Sequence, residues 1–100
     1  MVRKLQKEDI DRVADIWLDT NLKAHDFISA QYWKRNFELV KEMLLQAEVY
    51  VYESDQKIQG FIGLNNDYIE GIFVSDKMQS QGIGKILLND TKDKRNELRL

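Results

Sequence analysis

Apolar residues recur at helical spacing in the first half of the chain, and this spacing predicts two helices. The first helix is expected from residue 8 to about residue 18, because apolar side chains fall at i, i+3, i+4 and i+7: Ile10, Val13, Ala14 and Trp17. A connector over 21–27 follows, and the Ser29 side chain is suited to cap a second helix. The inner face of that second helix is predicted to consist of Trp33, Phe37, Val40 and Leu44.

Later in the chain, β-branched and aromatic residues alternate with polar ones, which predicts strands. A short strand at 2–6 opens the chain, and the later strands are expected at 48–53, 58–64 and 68–74, with turns at 54–57 and 65–67. The polar stretch 75–81 leads to a last helix that opens at Gly82 and runs through Ile83, Ile86, Leu87 and Asp90. The order β-α-α-β-β-β-α indicates a single α/β (α+β) domain over residues 1–100, and 97–100 has the pattern of a strand that has just begun.

Composition narrows the chemistry that this domain can perform. Lys and Arg total 15 against 17 Asp and Glu, so the net charge of -2 argues against nucleic acid or an anionic membrane as partner. The absence of cysteine excludes a thiolate nucleophile, and a lone histidine excludes a multi-histidine metal site, so no metal is predicted. No apolar stretch approaches the length that spans a bilayer, and we expect a soluble, cytoplasmic protein.

The segment after the strand at 68–74 is the most informative, because a polar loop and two glycines lead directly into a helix. The start of a helix has unpaired amides and a partial positive charge, and glycines allow a phosphate to approach them. The dinucleotide fingerprint requires a third glycine where this chain has Leu87, and a P-loop requires Ser or Thr where it has Ile86. The remaining pattern is Gln79-x-x-Gly82-x-Gly84, for which a plain glycine-capped turn is the alternative interpretation.

This pattern, placed after a strand that ends in Phe73-Val74-Ser75, resembles the coenzyme A pyrophosphate loop of GNAT-type N-acetyltransferases. The two-helix insertion after the first strand, with its His25-Asp26-Phe27 segment, is similar to a bacterial subgroup of small GNAT proteins. The resemblance implies a mixed, mainly antiparallel sheet and covers nearly the whole chain. It also implies that the chain is an incomplete domain with a truncated fifth strand, lacking the later asparagine and tyrosine of the family.

The activity implied by the resemblance is direct transfer of acetyl from acetyl-CoA to an amine of a protein lysine, an N-terminus or a small molecule. Gly71 is expected to mark a bulge that opens the strand. Gln79 and Gln81 stand where the family often has basic residues, which removes charge but keeps the backbone amides. By position, the backbone groups implied to hold the cofactor are those of Ile72, Phe73, Val74, Gln79, Gln81, Gly82, Ile83, Gly84 and Lys85.

For catalysis, the resemblance points to Glu70 as a general base acting through water, while a solvated strand carboxylate is the alternative interpretation. His25, Phe27 and Tyr32 are candidates for the acceptor site, although a lone loop histidine is more often a structural group. Trp33 and Phe37 fit core packing better than ligand binding. An uncovered strand at 68–74 predicts a homodimer, and a non-catalytic module that binds acetyl-CoA or self-associates is the competing function.

Overall fold

The computed structural model describes residues 1–66 and 68–94, which form one four-stranded antiparallel sheet flanked by helices. The strands follow the order β1-β2-β3-β4 across the sheet, so each strand pairs with its neighbour in sequence. None of the described helices is long and apolar enough to cross a membrane. The elements in chain order are β1 (Val2–Lys4), α1 (Ile10–Ala24), α2 (Ala30–Arg35), α3 (Phe37–Gln46), β2 (Glu48–Ser54), β3 (Lys57–Asn65), β4 (Tyr68–Val74) and α4 (Ile83–Lys94).

The predicted order lacks one helix, because the second predicted helix is two helices in the structure. The helical hydrogen bonding is interrupted at Asn36, whose amide bonds to the carbonyls of Trp33 and Lys34 rather than to the carbonyl four residues back. Its side chain also donates to the Tyr32 carbonyl, which supports the break between α2 and α3. The predicted cap is confirmed, since the Ser29 side chain accepts a hydrogen bond from the Gln31 amide.

Helix α1 is longer than predicted and takes up most of the expected connector, ending at Ala24 rather than near Leu18. Polar residues do not end it, because they form hydrogen bonds within the helix. The Thr20 hydroxyl donates to the Ile16 carbonyl at 2.8 Å, and the side-chain amide of Asn21 donates to the Trp17 carbonyl at 2.7 Å. The 21–27 segment is therefore mainly the last turn of α1 and only a short connector.

The strands agree with the prediction to within two residues at each end, and β4 matches the predicted 68–74. The predicted turn at 54–57 is reduced to Asp55 and Gln56, both with positive φ. In α4, the buried positions are Ile83, Leu87 and Thr91, while Ile86 is 42% exposed. The sequence predicts Ile86 on the buried face of α4. In the structure the buried residues are instead four positions apart, counted from Ile83, and Ile86 lies outside that row. The predicted strand at 97–100 and residue 67 of the 65–67 turn lie outside the described residues.

Apolar residues cover both faces of the sheet and form two clusters. Helices α1 and α3 pack on one face against Val49, Val51 and Phe61, and α4 packs on the other against Ile62 and Leu64. The α4 side depends on close contact at Gly60, where an added Cβ would lie 2.9 Å from the Phe73 carbonyl oxygen and 3.2 Å from Ile83. Because helices pack on both faces of the sheet, the position of β4 is fixed relative to both α1 and α4.

Two β-bulges change the register of this sheet. Between β2 and β3, Tyr52 pairs with Gly60 and Glu53 with Ile58, so Gln59 has no partner across the strand. Between β3 and β4, Gly63 pairs with Gly71 and Leu64 with Ile69, which leaves Glu70 as the extra residue. The bulge expected at Gly71 is therefore present, and its extra residue is Glu70.

The start of α1 is fixed to the sheet by a buried carboxylate. Arg3 donates from both terminal nitrogens to the Asp9 carboxylate, at 2.7 and 3.1 Å, and from Nε to Glu53 at 3.0 Å. The Gln6 amide donates to the same carboxylate at 2.8 Å. Arg3 and this amide hold the pKa of Asp9 below its usual range, although burial opposes the shift.

Replacing Asp9 by Asn should lower the free energy of unfolding at pH 7 by about 1.5–3 kcal/mol, because a charge-assisted pair is lost. A carboxyl with a lowered folded-state pKa stabilises the fold above its unfolded pKa of about 3.9, and this contribution disappears as the pH falls through the folded value. Urea unfolding of wild type between pH 7 and pH 2 should show that loss, and D9N should show less of it. The exposed Asp15→Asn serves as control, and equal pH dependence in D9N and wild type would contradict the assignment.

Candidate active site

At alternate residues along β4, the backbone N–H and C=O groups point to the outer edge of the sheet and do not bond to β3. The Ser75 amide bonds to the Gln59 carbonyl at 2.8 Å, and hydrogen-bonded pairs alternate in an antiparallel ladder. The Phe61–Phe73 pair is then bonded within the sheet, whereas Ile72 and Val74 direct their N–H and C=O groups away from β3. Of the three strand residues predicted to hold a cofactor, Ile72 and Val74 face the open edge, and Phe73 faces into the sheet.

The loop that follows β4 turns back on the strand. It contains a single-turn 3₁₀ helix (Asp76–Met78), after which the Gln79 side-chain amide donates to the Val74 carbonyl at 3.2 Å. Ser80 and Gly82 have φ angles of 66° and 82°, so the backbone enters the left-handed region twice before α4 begins. Glycine at position 82 removes the steric cost of that conformation, which is the physical reason for this glycine.

The first turn of α4 leaves a row of backbone donors. The first hydrogen bond of the helix joins the Ile86 amide to the Gly82 carbonyl at 3.0 Å. The amides of Ile83, Gly84 and Lys85 precede it and have no acceptor within the helix. These donors and the positive end of the helix dipole fit a phosphate group, and Ile72 and Val74 lie beside them, since an added Cβ on Gly84 would contact both side chains.

An ion pair joins this loop to α1. Lys23 lies 3.1 Å from Asp76 in the 3₁₀ turn and 3.2 Å from Asp19 in its own helix. Hydrogen bonding to Asp76 and then to Asp19 raises the pKa of Lys23. All three side chains are about half exposed, so the pair orients the loop and adds little stability.

A cleft of about 240 Å³ opens between α3 and the start of β4. Among the described residues that line it, Glu70 has the one charged side chain. Because Glu70 is the bulge residue, it is outside the regular ladder, and it is exposed to solvent. The other lining residues are Trp17, Val40, Met43, Leu44, Ala47, Val49, Phe61, Gly63, Leu64, Gly71 and Phe73. A carboxylate at the wall of an apolar cleft suits a ligand with an aliphatic stem and a basic end.

A second, more polar groove of about 430 Å³ adjoins the cleft. The two share Met43, Ala47, Leu64 and Glu70 as walls. The remaining lining residues of the groove are Gln46, Glu48, Asn65 and Asn66. Glu70 thus lies where the apolar cleft meets the polar groove, at the opposite end of β4 from the glycine loop.

The structure brings the predicted acceptor residues together, but around Trp33 and not in the cleft. The His25 ring stacks on Trp33 at 5.6 Å between centroids, Phe27 meets His25 edge-on at 5.8 Å, and Tyr32 meets Trp33 at 5.0 Å. Phe27 and Tyr32 are 80% and 52% exposed. Trp17 contacts this cluster at 5.7 Å from Trp33 and also lines the cleft, so it connects the two.

Sequence analysis missed Met43, Gln46 and the two turn asparagines as possible site residues. Met43 is 59% exposed and lies off the apolar stripe of α3. An apolar residue on the polar face of a helix is a signal from which Met43 could have been predicted to line a site.

Among residues 1–66 and 68–94, no group of three or more His, Asp or Glu side chains is placed to hold a metal ion.

Comparison with known proteins identifies similar sequences. Residues 6–99 match a family described as acetyltransferase (GNAT) domain. The peptidyl-lysine N-acetyltransferase YiaC of Escherichia coli K12 is 30% identical over 102 residues, which cover 100% of this chain and 70% of YiaC. The peptidyl-lysine N-acetyltransferase YjaB of Salmonella typhimurium LT2 is 31% identical over 88 residues, which cover 87% of this chain and 61% of YjaB.

Solved structures show the same fold. The solution structure of apo-form YjaB from Escherichia coli superposes with a TM-score of 0.84 at 24% identity, covering 98% of this chain and 67% of that one. PaiA N-acetyltransferase from Thermoplasma acidophilum, in complex with coenzyme A, superposes with a TM-score of 0.79 at 17% identity, covering 94% and 70%. At these identities the likeness establishes the fold alone. That fold agrees with the α/β class and the mainly antiparallel sheet expected from the sequence.

The two loop glycines should respond differently to alanine. Gly82→Ala should lower the free energy of unfolding by about 1–2 kcal/mol, because an L-residue is strained at a φ of 82°. Gly84→Ala should keep or raise stability, since the new Cβ would lie 3.6 Å from Ile72 and 3.9 Å from Val74 and alanine favours the helix. Urea unfolding of both variants tests this, and greater destabilisation by G84A than by G82A would contradict the loop geometry.

Proposed function

The chain belongs to the GNAT acetyltransferase family, and from that membership we propose that it transfers acetyl from acetyl-CoA to the side-chain amine of a lysine in a peptide or protein. The observation that supports this most is the arrangement along β4. A loop with free amides follows Val74, the edge groups of Ile72 and Val74 lie next to it, and the carboxylate of Glu70 lies at the other end beside an apolar cleft.

On the cofactor side, the fit rests on backbone donors. The amides of Ile83, Gly84 and Lys85, with those of Gln81 and Gly82 in the loop, would bind the pyrophosphate. The outward N–H and C=O groups of β4 would hold the pantetheine arm as a neighbouring strand would. PaiA, which shares the fold, was solved in complex with coenzyme A, and this supports acetyl-CoA as donor. The bound thioester supplies an activated acetyl group.

On the acceptor side, the cleft suits a lysine. Its apolar walls would cover the methylene stem, and Glu70 would meet the amine. An amine of pKa about 10.4 costs roughly 4.6 kcal/mol to deprotonate at pH 7, so a carboxylate base is useful. Glu70 would take one proton from the ammonium through water, and the neutral nitrogen would then attack the acetyl carbon to form the new N–C bond. The C–S bond would break with its electrons on sulfur, and the second nitrogen proton would pass to the thiolate to give the free thiol of CoA. YiaC and YjaB, which are named peptidyl-lysine N-acetyltransferases, support this acceptor class.

Replacing Glu70 by Gln should lower the turnover rate and flatten the acid limb of the rate–pH profile, because glutamine cannot accept the amine proton. Acetyl-CoA binding, measured by titration calorimetry, should stay unchanged, since the glycine loop at 79–84 is at the far end of β4. The measurement is thiol release with a lysine peptide from about pH 4 to pH 9, a range that includes the pH at which ordinary glutamates ionise. Glu42→Gln on the exposed surface of α3 is the control. An unaltered pH profile in E70Q would remove Glu70 from the base role.

A second candidate function is a module that binds acetyl-CoA and self-associates without turnover. Within the part of the chain that the structure describes, β4 is an edge strand whose outer backbone groups have no partner strand. Tyr68 is 48% exposed at its start. Open strand edges of this kind pair readily with another copy of the same strand.

If two copies pair through β4, sedimentation velocity should show a homodimer whose population rises with protein concentration. The substitution Ile72→Pro should abolish the homodimer, because proline removes an outward N–H group from the edge of β4. Proline at the exposed Ala30, the first residue of α2, is the control for a general effect of proline, because this position suits proline and the Ser29 cap bond is retained. A monomer at all concentrations would exclude the self-associating function and leave the acetyltransferase proposal intact.

A further inference from the structure

We propose that the polar groove next to Glu70 binds the main chain of the acceptor, so that the substrate is a lysine within an extended peptide segment rather than a free amine. The inference rests on the proposed function. It adds a peptide subsite formed by the side chains of Gln46, Asn65 and Asn66.

Continuity of the two cavities is the first support. The cleft and the groove share Met43, Ala47, Leu64 and Glu70, so a ligand whose amine reaches Glu70 continues directly from one into the other. A free lysine or a small amine fills only the cleft. A peptide has a main chain on the far side of the side-chain stem, and the groove of about 430 Å³ is where that main chain would lie.

The lining chemistry is the second support. Gln46, Asn65 and Asn66 each have a primary amide, which donates through its NH₂ and accepts through its oxygen. A peptide main chain offers one donor and one acceptor per residue, and amide side chains can satisfy both. Among the described lining residues there is no Lys or Arg, so a positively charged acceptor segment is not repelled.

The placement of these amides is the third support. Gln46 is the last residue of α3, and Asn65 is the last residue of β3, where it pairs with Tyr68. Asn66 follows with a φ of 57°, a left-handed conformation that asparagine tolerates. All three extend from the ends of packed elements, and they lie at the start of β4 whereas the glycine loop lies at its end. Peptide and acetyl-CoA would therefore enter from opposite ends of the strand.

The test compares binding of two probes by titration calorimetry on the full chain. One is a seven-residue alanine peptide with a central lysine and capped ends, and the other is lysine capped as acetyl and methylamide. The peptide should bind at least tenfold more tightly. In the double variant Gln46→Ala, Asn66→Gly, peptide affinity should fall at least fivefold through lost hydrogen bonds, while affinities for capped lysine and acetyl-CoA stay unchanged. Glycine suits the φ of 57° at position 66, so the turn is retained.

The matched control is Gln31→Ala, an exposed amide on α2 outside the groove, which should leave peptide affinity unchanged. Equal affinity for peptide and capped lysine would overturn the subsite while the proposed function stands. An equal loss for both probes in the double variant would also overturn it, because the residues would then act through the fold. Tighter binding of 1,4-diaminobutane than of the peptide would reject it in favour of a small polyamine acceptor. Failure to bind acetyl-CoA and every amine would reject the proposed function itself.

Discussion

The antiparallel pairing of β3 with β4 is the constraint on which the rest of the site depends. One unbroken register from Gly60–Val74 to Gly63–Gly71 decides which backbone groups of β4 bond to β3 and which face outward. The register then shifts by one residue at Glu70, which places a carboxylate outside the ladder. A slip of one residue would exchange the inward and outward backbone groups of β4 and move its side chains to the other face of the sheet.

The two faces of the sheet have different roles in this arrangement. On one face, α4 packs on Ile62 and Leu64, which fixes the start of the helix and its free amides beside the end of β4. On the other face, α1 and α3 leave a cleft against the start of β4. Cofactor and acceptor would then meet along one strand, with the chemistry between an anion site at one end and a carboxylate near the other.

Strand positions and the glycine loop could be predicted from the sequence, because alternation and glycine spacing are local signals. The extent of α1 could not, since Thr20 and Asn21 bond to carbonyls of their own helix and so do not end it. The inward direction of the Phe73 backbone follows from pairing with a distant strand, which residue type does not report. The cleft depends on Trp17, Met43 and Phe61, which come together only through the packing of α1, α3 and β3.

Gly60 is remote in sequence from the loop at 79–84, yet the close contacts around it decide how near the start of α4 lies to the sheet. An added Cβ would lie 2.9 Å from the Phe73 carbonyl oxygen, 3.2 Å from Ile83 and 3.5 Å from Leu87. A larger side chain would therefore separate β3 from β4 or lift α4 away from the strand, and the amides at the helix start would rise with it. The size of the residue at position 60 would thus decide where a phosphate could bind, although glycine has no chemistry of its own to reveal this role.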